Sequence, residues 1–234
     1  VAVDEKSNEI TAIPKLLKML GIAGAIVTID AMGCQKEIAR TIRQRKADYL
    51  LALKGNHEHL FERVVTFFDG ACAHGRKGQG IRYHREWSEG HGRDECRRCW
   101  ATSEIDWLEG REEWADLRSV VLIESERFIG GSLAVEERYY LSSLPADAKL
   151  LNQAARTHWA VENSLHWVLD VTFHEDASRI KKENAPENFG LLRRLALCLL
   201  KKETSSKRSI RGKRLRASWD DGYLHQVLCG NAGN

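Results

Sequence analysis

The sequence predicts an α/β fold, on three observations. Its first seventy residues alternate strand-like and helix-like segments. Two of the strand-like segments are continuous apolar runs, as expected for strands of a parallel layer. A stretch without helical period follows, and long helical segments come after it.

Residues 1–3 (VAV) read as a short strand. Ser7 or Asn8 can cap the next segment, where Ile10, Ile13, Leu16, Leu17 and Leu20 recur at helical spacing. Pro14 kinks that helix or marks its true first turn, and Gly21 and Gly24 end it. Residues 25–29 (AIVTI) are rich in β-branched side chains, which predicts a strand covered on both faces and ending at Asp30. Residues 35–45 read as a helix with Ile38, Ala39 and Ile42 on one side. Residues 48–53 (DYLLAL) read as a second buried strand closed by Lys54, Gly55 and Asn56, and 58–68 as an amphipathic helix. Residues 80–145 read as a β-rich insertion with strands at 120–123 and 137–142. One long helix is expected over 147–169, and another over about 186–202 with Phe189, Leu192, Leu195, Ala196 and Leu199 as its core stripe.

With 43% apolar and 29% charged residues, and no apolar run near eighteen, the 234 residues describe a globular protein without a membrane span. No signal peptide opens the chain. The six cysteines are scattered, which fits a reducing compartment better than a disulfide framework. The net charge of +3 decides little, but its distribution says more. Residues 201–216 hold eight Lys and Arg and a single acid, Glu203. Such a segment either meets a polyanion, usually nucleic acid, or is a solvated, frayed tail.

Several residues are candidates for chemistry. Asp30 follows the C-terminal end of a buried strand, where ligands of open α/β sheets gather, and its carboxylate can hold a divalent metal; the plainer role is a turn or cap aspartate. Glu162 lies between His158 and His166 at i, i+4, i+8 spacing, so the three share a helical face. An acid in a largely apolar stripe is costly to bury unless paired or metal-bound; the plainer role is a half-exposed Glu held by the two histidines. The His-Glu-His face also has the outline of a zinc hydrolase site, and Cys96 and Cys99 form a lone pair that falls short of a structural zinc site. His91, Gly92 and Arg93 either hold phosphate or form a polar hairpin.

The chain resembles the H-repeat-associated, ISAs-type insertion-sequence transposases of the DDE class. The resemblance rests on VDEKSNEITAIPKLL at 3–17, IVTIDAMGCQKEIA at 26–39, YLLALKGNH at 49–57, HGRDECR at 91–97, YYLSSL at 139–144, HWAVENSLHWVLDVTFHEDASRI at 158–180 and ENFGLLRRLAL at 187–197. It implies a ribonuclease-H-like core, missing its first strands, with a β-rich insertion before the last catalytic helix. The expected division is 1–79 for the first part of the core, 80–145 for the insertion, 146–203 for the last core helices and 204–234 for a basic C-terminal tail. It also implies three catalytic carboxylates that hold two Mg2+ ions, with Mn2+ as a substitute. Asp30 matches the second and Glu162 the third; the first is expected upstream of residue 1, so the chain reads as N-terminally truncated. Asp4 and Glu5 are not substitutes for it. Related families carry Arg and Lys at offsets that here hold His158 and Leu169.

The implied reaction is DNA cleavage at the element ends, followed by joining of the freed 3′-hydroxyl to target DNA. Lys54, Asn56, Arg93, His158, Asn163 and His166 are the expected DNA or phosphate contacts, and Trp87 and Trp100 are candidates to stack on an extruded base. The implied partners are the terminal repeats, target DNA and a second copy on paired ends, in a bacterial cytoplasm at the nucleoid. The alternative is a catalytically inactive DNA-binding remnant lacking the first aspartate.

Overall fold

The structure, a computed structural model, describes residues 9–73, 80–90, 93–129 and 132–230. The strand expected at 1–3, the caps Ser7 and Asn8, and the His91-Gly92 pair lie outside the described residues, as do the side chains of Arg93, Glu162 and Asn163. The chain divides into two compact units, residues 1–158 and 159–234.

The first unit follows the expected order: α1 (Glu9–Met19), β1 (Ile26–Ile29), α2 (Lys36–Gln44), β2 (Asp48–Leu53) and α3 (Glu58–Ala73). Four strands follow, β3 (Arg82–Gly90), β4 (Arg93–Thr102), β5 (Ser119–Ile129) and β6 (Ser132–Ser142), and then α4 (Ala148–Val161) begins. All six strands form one sheet in the order β1-β2-β6-β5-β4-β3. β1 and β2 are parallel, joined by α2 as the crossover such a pair requires. The remaining pairs are antiparallel, and β6 lies against β2 with Leu51 opposite Leu141 and Leu53 opposite Tyr139. The β-rich stretch therefore continues the same sheet.

Alternation decides which face each residue covers. Tyr49, Leu51 and Leu53 of β2, Trp100 of β4, Leu122 of β5 and Leu141 of β6 pack with Leu17, Ile38, Ile42, Val64 and Phe68 from the first three helices. Their neighbours Leu50, Cys99, Ala101, Val121, Ile123 and Tyr140 face the other way, onto Ala148, Leu151 and Ala155 of α4. Two hydroxyls pin the β2–β6 register: the Ser143 hydroxyl accepts from the Tyr49 amide at 2.9 Å, and that of Ser142 donates to the Tyr49 carbonyl at 2.7 Å.

Of the two readings of Pro14 the first-turn one falls, since it is the sixth residue of α1, inside the helix. One expectation changes here. β1 is only half-buried along its length, because it sits at the end of the described sheet with β2 as its neighbour.

The second unit is helical. Where one unbroken α-helix is expected over 147–169, the backbone widens at Glu162–His166 into a π-helical segment. α5 (Trp167–Phe173) continues it and ends at His174, whose φ of 53° is left-handed. A π turn closes i to i+5, so the spacing that aligns Glu162 with His166 on a regular helix no longer does so. α6 (Ala185–Lys202), α7 (Ile210–Ala217) and α8 (Asp221–Cys229) follow.

The stripe expected on α6 is met only in part. Phe189, Leu192 and Leu195 are exposed, Ala196 is half-buried and Leu199 packs on the core of the unit, whereas the buried residues are Gly190, Leu197 and Leu200. α6 carries apolar residues on more than one side, and α7 and α8 cover the side of Leu200, around a core with Tyr223 and Val227. The segment that reads as a possible frayed tail is thus folded, with Ser209 capping α7 and Asp220 capping α8.

Candidate functional site

Parallel pairing brings the C-terminal ends of β1 and β2 side by side, with Thr28 in register with Leu50. The loops leaving these ends hold Asp30 and Lys54–His57. Asp30 is exposed, and its Oδ1 accepts a 3.3 Å hydrogen bond from the Gly33 amide, closing the turn. That turn needs glycine at 33: a Cβ there would stand 2.3 Å from Cγ2 of Ile29. Cys34 follows, fully buried, and burial pushes its thiol up to about 12, so it is an inert packing residue.

The second loop is clamped onto the first. Asn56 Nδ2 donates to the Ala31 carbonyl at 2.6 Å, and His57 Nε2 donates to the Cys34 carbonyl at 2.6 Å. A carbonyl partner fixes the His57 proton on Nε2. The ring of His57 meets Trp114 edge-on at 5.2 Å, so the clamp rests on a core aromatic. Asn56, expected as a DNA contact, thus spends part of its amide on shaping the Asp30 turn. Lys54 is exposed at the same edge and makes no ion pair among the described residues.

From the opposite face, His158 reaches β1. Its Nδ1 lies 3.2 Å from Oγ1 of Thr28, two residues before Asp30 and on the same side of the strand. This contact ties α4 to β1 within the first unit. Glu162 begins the π-helical segment, a local feature often found at functional sites. His166 is exposed in that segment. Asp30 belongs to the first unit and Glu162 to the second.

Other candidates resolve differently. Trp100 is buried against Tyr83, with ring centroids 5.3 Å apart, and is a core residue. Trp87 is 58% exposed, with the Arg85 guanidinium 4.4 Å above its ring. Cys96 and Cys99 are both buried, but three residues apart on one strand they point to opposite faces and share no site. Glu95 and Arg97 pair with each other; burial alone would raise the Glu95 carboxyl, but Arg97 and Arg127 hold it below the usual range. Among the described residues no three His, Cys, Asp or Glu side chains converge as a metal cluster.

Residues 1–199 match the family described as the transposase DDE domain. The chain belongs to the DDE transposase family. It is 39% identical over 232 residues to "Putative transposase YncI" of Escherichia coli O157:H7, which covers 97% of this chain and 59% of that protein. It is 38% identical over 238 residues to "H repeat-associated putative transposase YhhI" of E. coli K12, covering 99% of this chain and 62% of that one. A shorter match, 58% identical over 60 residues, is to "H repeat-associated putative transposase YbfD" of the same strain. The H-repeat resemblance is thus borne out. The chain spans about three fifths of the length of YncI and YhhI.

Two residues that shape the candidate site carry no role in the sequence analysis. Thr28 carried a signal, since it alternates with Asp30 along one strand. His57 lies in the quoted motif YLLALKGNH but carries no mark that separates it from a loop histidine.

Proposed function

We propose that the chain forms most of a DNA strand-transfer enzyme whose carboxylates include Asp30 and Glu162. The observation that carries this reading is the exposed Asp30 carboxylate just past the C-terminal end of β1, beside the parallel strand β2. On this reading β1, β2 and the first three helices belong to the first part of a ribonuclease-H-like core, 80–145 with β3–β6 is its insertion, and 146–203, beginning with α4, supplies the last catalytic helices.

The family implies a divalent metal, commonly Mg2+, and the chemistry of Asp30 suits one. Its carboxylate is exposed, makes one long hydrogen bond, and pairs with no Lys or Arg among the described residues. A hard oxygen donor of this kind prefers Mg2+ or Mn2+ over softer ions. When bound, two such ions supply Lewis acidity at the attacking and leaving oxygens of the phosphodiester.

The protein's own part is positional. The Asn56 and His57 clamps hold the Asp30 turn in place before DNA arrives. His158 orients its helix through Thr28. Lys54, Arg93, Asn163 and His166 are proposed to meet phosphates, and Trp87 to stack on an unpaired base. A second copy on the paired element ends belongs to the same reading. Residues 1–234 alone are expected to give at most trace cleavage, since they match two of the family's three carboxylates.

The test uses a protein spanning the relatives' full length and pre-cut terminal-repeat ends. Mg2+-dependent joining to target DNA is expected. Cleavage without joining points instead to a nuclease, and binding without either reaction to a DNA-binding remnant.

A further inference from the structure

The positive excess of the chain lies in its second unit: residues 159–234 hold 13 Lys and Arg against 9 Asp and Glu, and residues 1–158 hold 23 against 24. The first unit neutralises many of its arginines locally. Arg43 pairs with Asp48 and Asp116, Arg98 with Glu124 and Glu126, Arg127 with Glu95, and Arg156 with Glu86.

The α7–α8 pair behaves differently. Glu203, the single acid of residues 201–216, is spent on Lys213, which is itself buried against the carbonyls of Leu200 and Glu203. Asp220 is spent on Arg216. Lys202, Lys207, Arg208 and Arg211 remain exposed, and none of them makes an ion pair among the described residues. The aliphatic stem of Arg208 runs beside Gly212, where an added Cβ would come within 3.2 Å of the Arg208 Cβ, at the start of α7. Trp219, 66% exposed, sits between the two helices.

We propose that α7, α8 and the turn before them form a docking surface for the phosphate backbone of duplex DNA, through Lys202, Lys207, Arg208 and Arg211. The surface lies beyond residues 1–199, the part matched by the family domain. It rests on the reading of the chain as a DNA-acting enzyme and adds where the duplex is gripped away from the carboxylates. Cations release condensed counterions on meeting phosphates, and such contacts position a duplex without reading its sequence. An anionic membrane would need an apolar helix face to insert. Ile210 and Ala217 of α7 pack into the unit's own core, while Leu215, Trp219, Leu224 and Leu228 are exposed, so the vesicle comparison below separates a duplex from a membrane. Lys213 is excluded from the surface by its burial.

The experiment measures binding of residues 1–234 to a random-sequence duplex in EDTA by fluorescence anisotropy, across 50–200 mM salt. EDTA removes cleavage from the readout, so failure here leaves the catalytic reading standing, and failed joining leaves this surface standing. The combined variant Lys207→Gln, Arg208→Gln, Arg211→Gln is expected to lower the slope of log affinity against log salt by about two to three, near 0.9 per lost phosphate contact. An equal charge change in the first unit (Lys15→Gln, Lys18→Gln, Arg118→Gln) is expected to leave the slope in place. Restoring the charge with Lys at 208 and 211 should recover most of it. Equal losses in both triple variants would overturn the proposal, as would undetectable duplex binding at 50 mM salt or stronger binding to phosphatidylserine vesicles than to DNA.

Discussion

Asp30→Asn and Glu162→Gln are each expected to lower Mg2+-dependent cleavage of terminal-repeat DNA by about a thousandfold or more, in a protein spanning the relatives' full length. A carboxylate that holds a catalytic metal contributes several kcal/mol to the transition state, and 1.36 kcal/mol is tenfold in rate. Asn is close in shape to Asp and can still accept from the Gly33 amide, so the turn at 30–33 should persist. The loss should therefore fall on turnover. Duplex affinity in EDTA should stay within about twofold. Full activity in either variant would remove that residue from the site. Restored activity when Mn2+ replaces Mg2+ would support a weakened metal site over a misfolded one.

The second large effect concerns stability. Glu203→Gln is expected to cost about 3 kcal/mol in urea denaturation of the second unit, the lower end for breaking a buried ion pair. The side chains of Glu203 and Lys213 are only 2% and 9% exposed. Oε1 of Glu203 accepts from the Ser205 amide at 2.5 Å, and Oε2 from the Tyr223 hydroxyl at 2.7 Å. Removing the carboxylate leaves the Lys213 ammonium buried with carbonyls alone. Glu203→Gln combined with Lys213→Met should recover much of the loss, since no buried charge then remains.

The same residue sets an acid limit. Burial by itself would raise its carboxyl, but hydrogen bonds from Ser205 and Tyr223 and the charge of Lys213 hold it down at about 2. The value in an unfolded chain is about 4.3. A folded value below the unfolded one gives stability that is complete above pH ~4.3 and is lost as pH falls towards ~2. The pH dependence of unfolding between those values should flatten in Glu203→Gln.

Much of the first unit was legible because its local signals agree. The run 48–53 is apolar or aromatic apart from Asp48, bounded by loop residues, and becomes β2 with unchanged limits. Asp30 was legible for the same reason, standing where an apolar strand stops. Features that depend on distant partners were not. The Thr28–His158 bond joins residues 130 apart, and no spacing rule reaches that far. The π turn at Glu162–His166 has no sequence mark comparable to a proline or a glycine. On α6 the periodicity showed apolar residues, but which side is covered depends on where α7 and α8 pack. Glu203 stood out as a lone acid among eight cations, yet its partner could not be chosen among them. Burial selects Lys213, because only there can the ammonium also reach the carbonyls that end α6.

Crystals grown in Mn2+ and measured at the manganese absorption edge test the central claim most directly. An anomalous peak coordinated by carboxylate oxygens of both Asp30 and Glu162 is expected. Manganese bound at Asp30 alone, with the Glu162 carboxylate directed elsewhere, would contradict it.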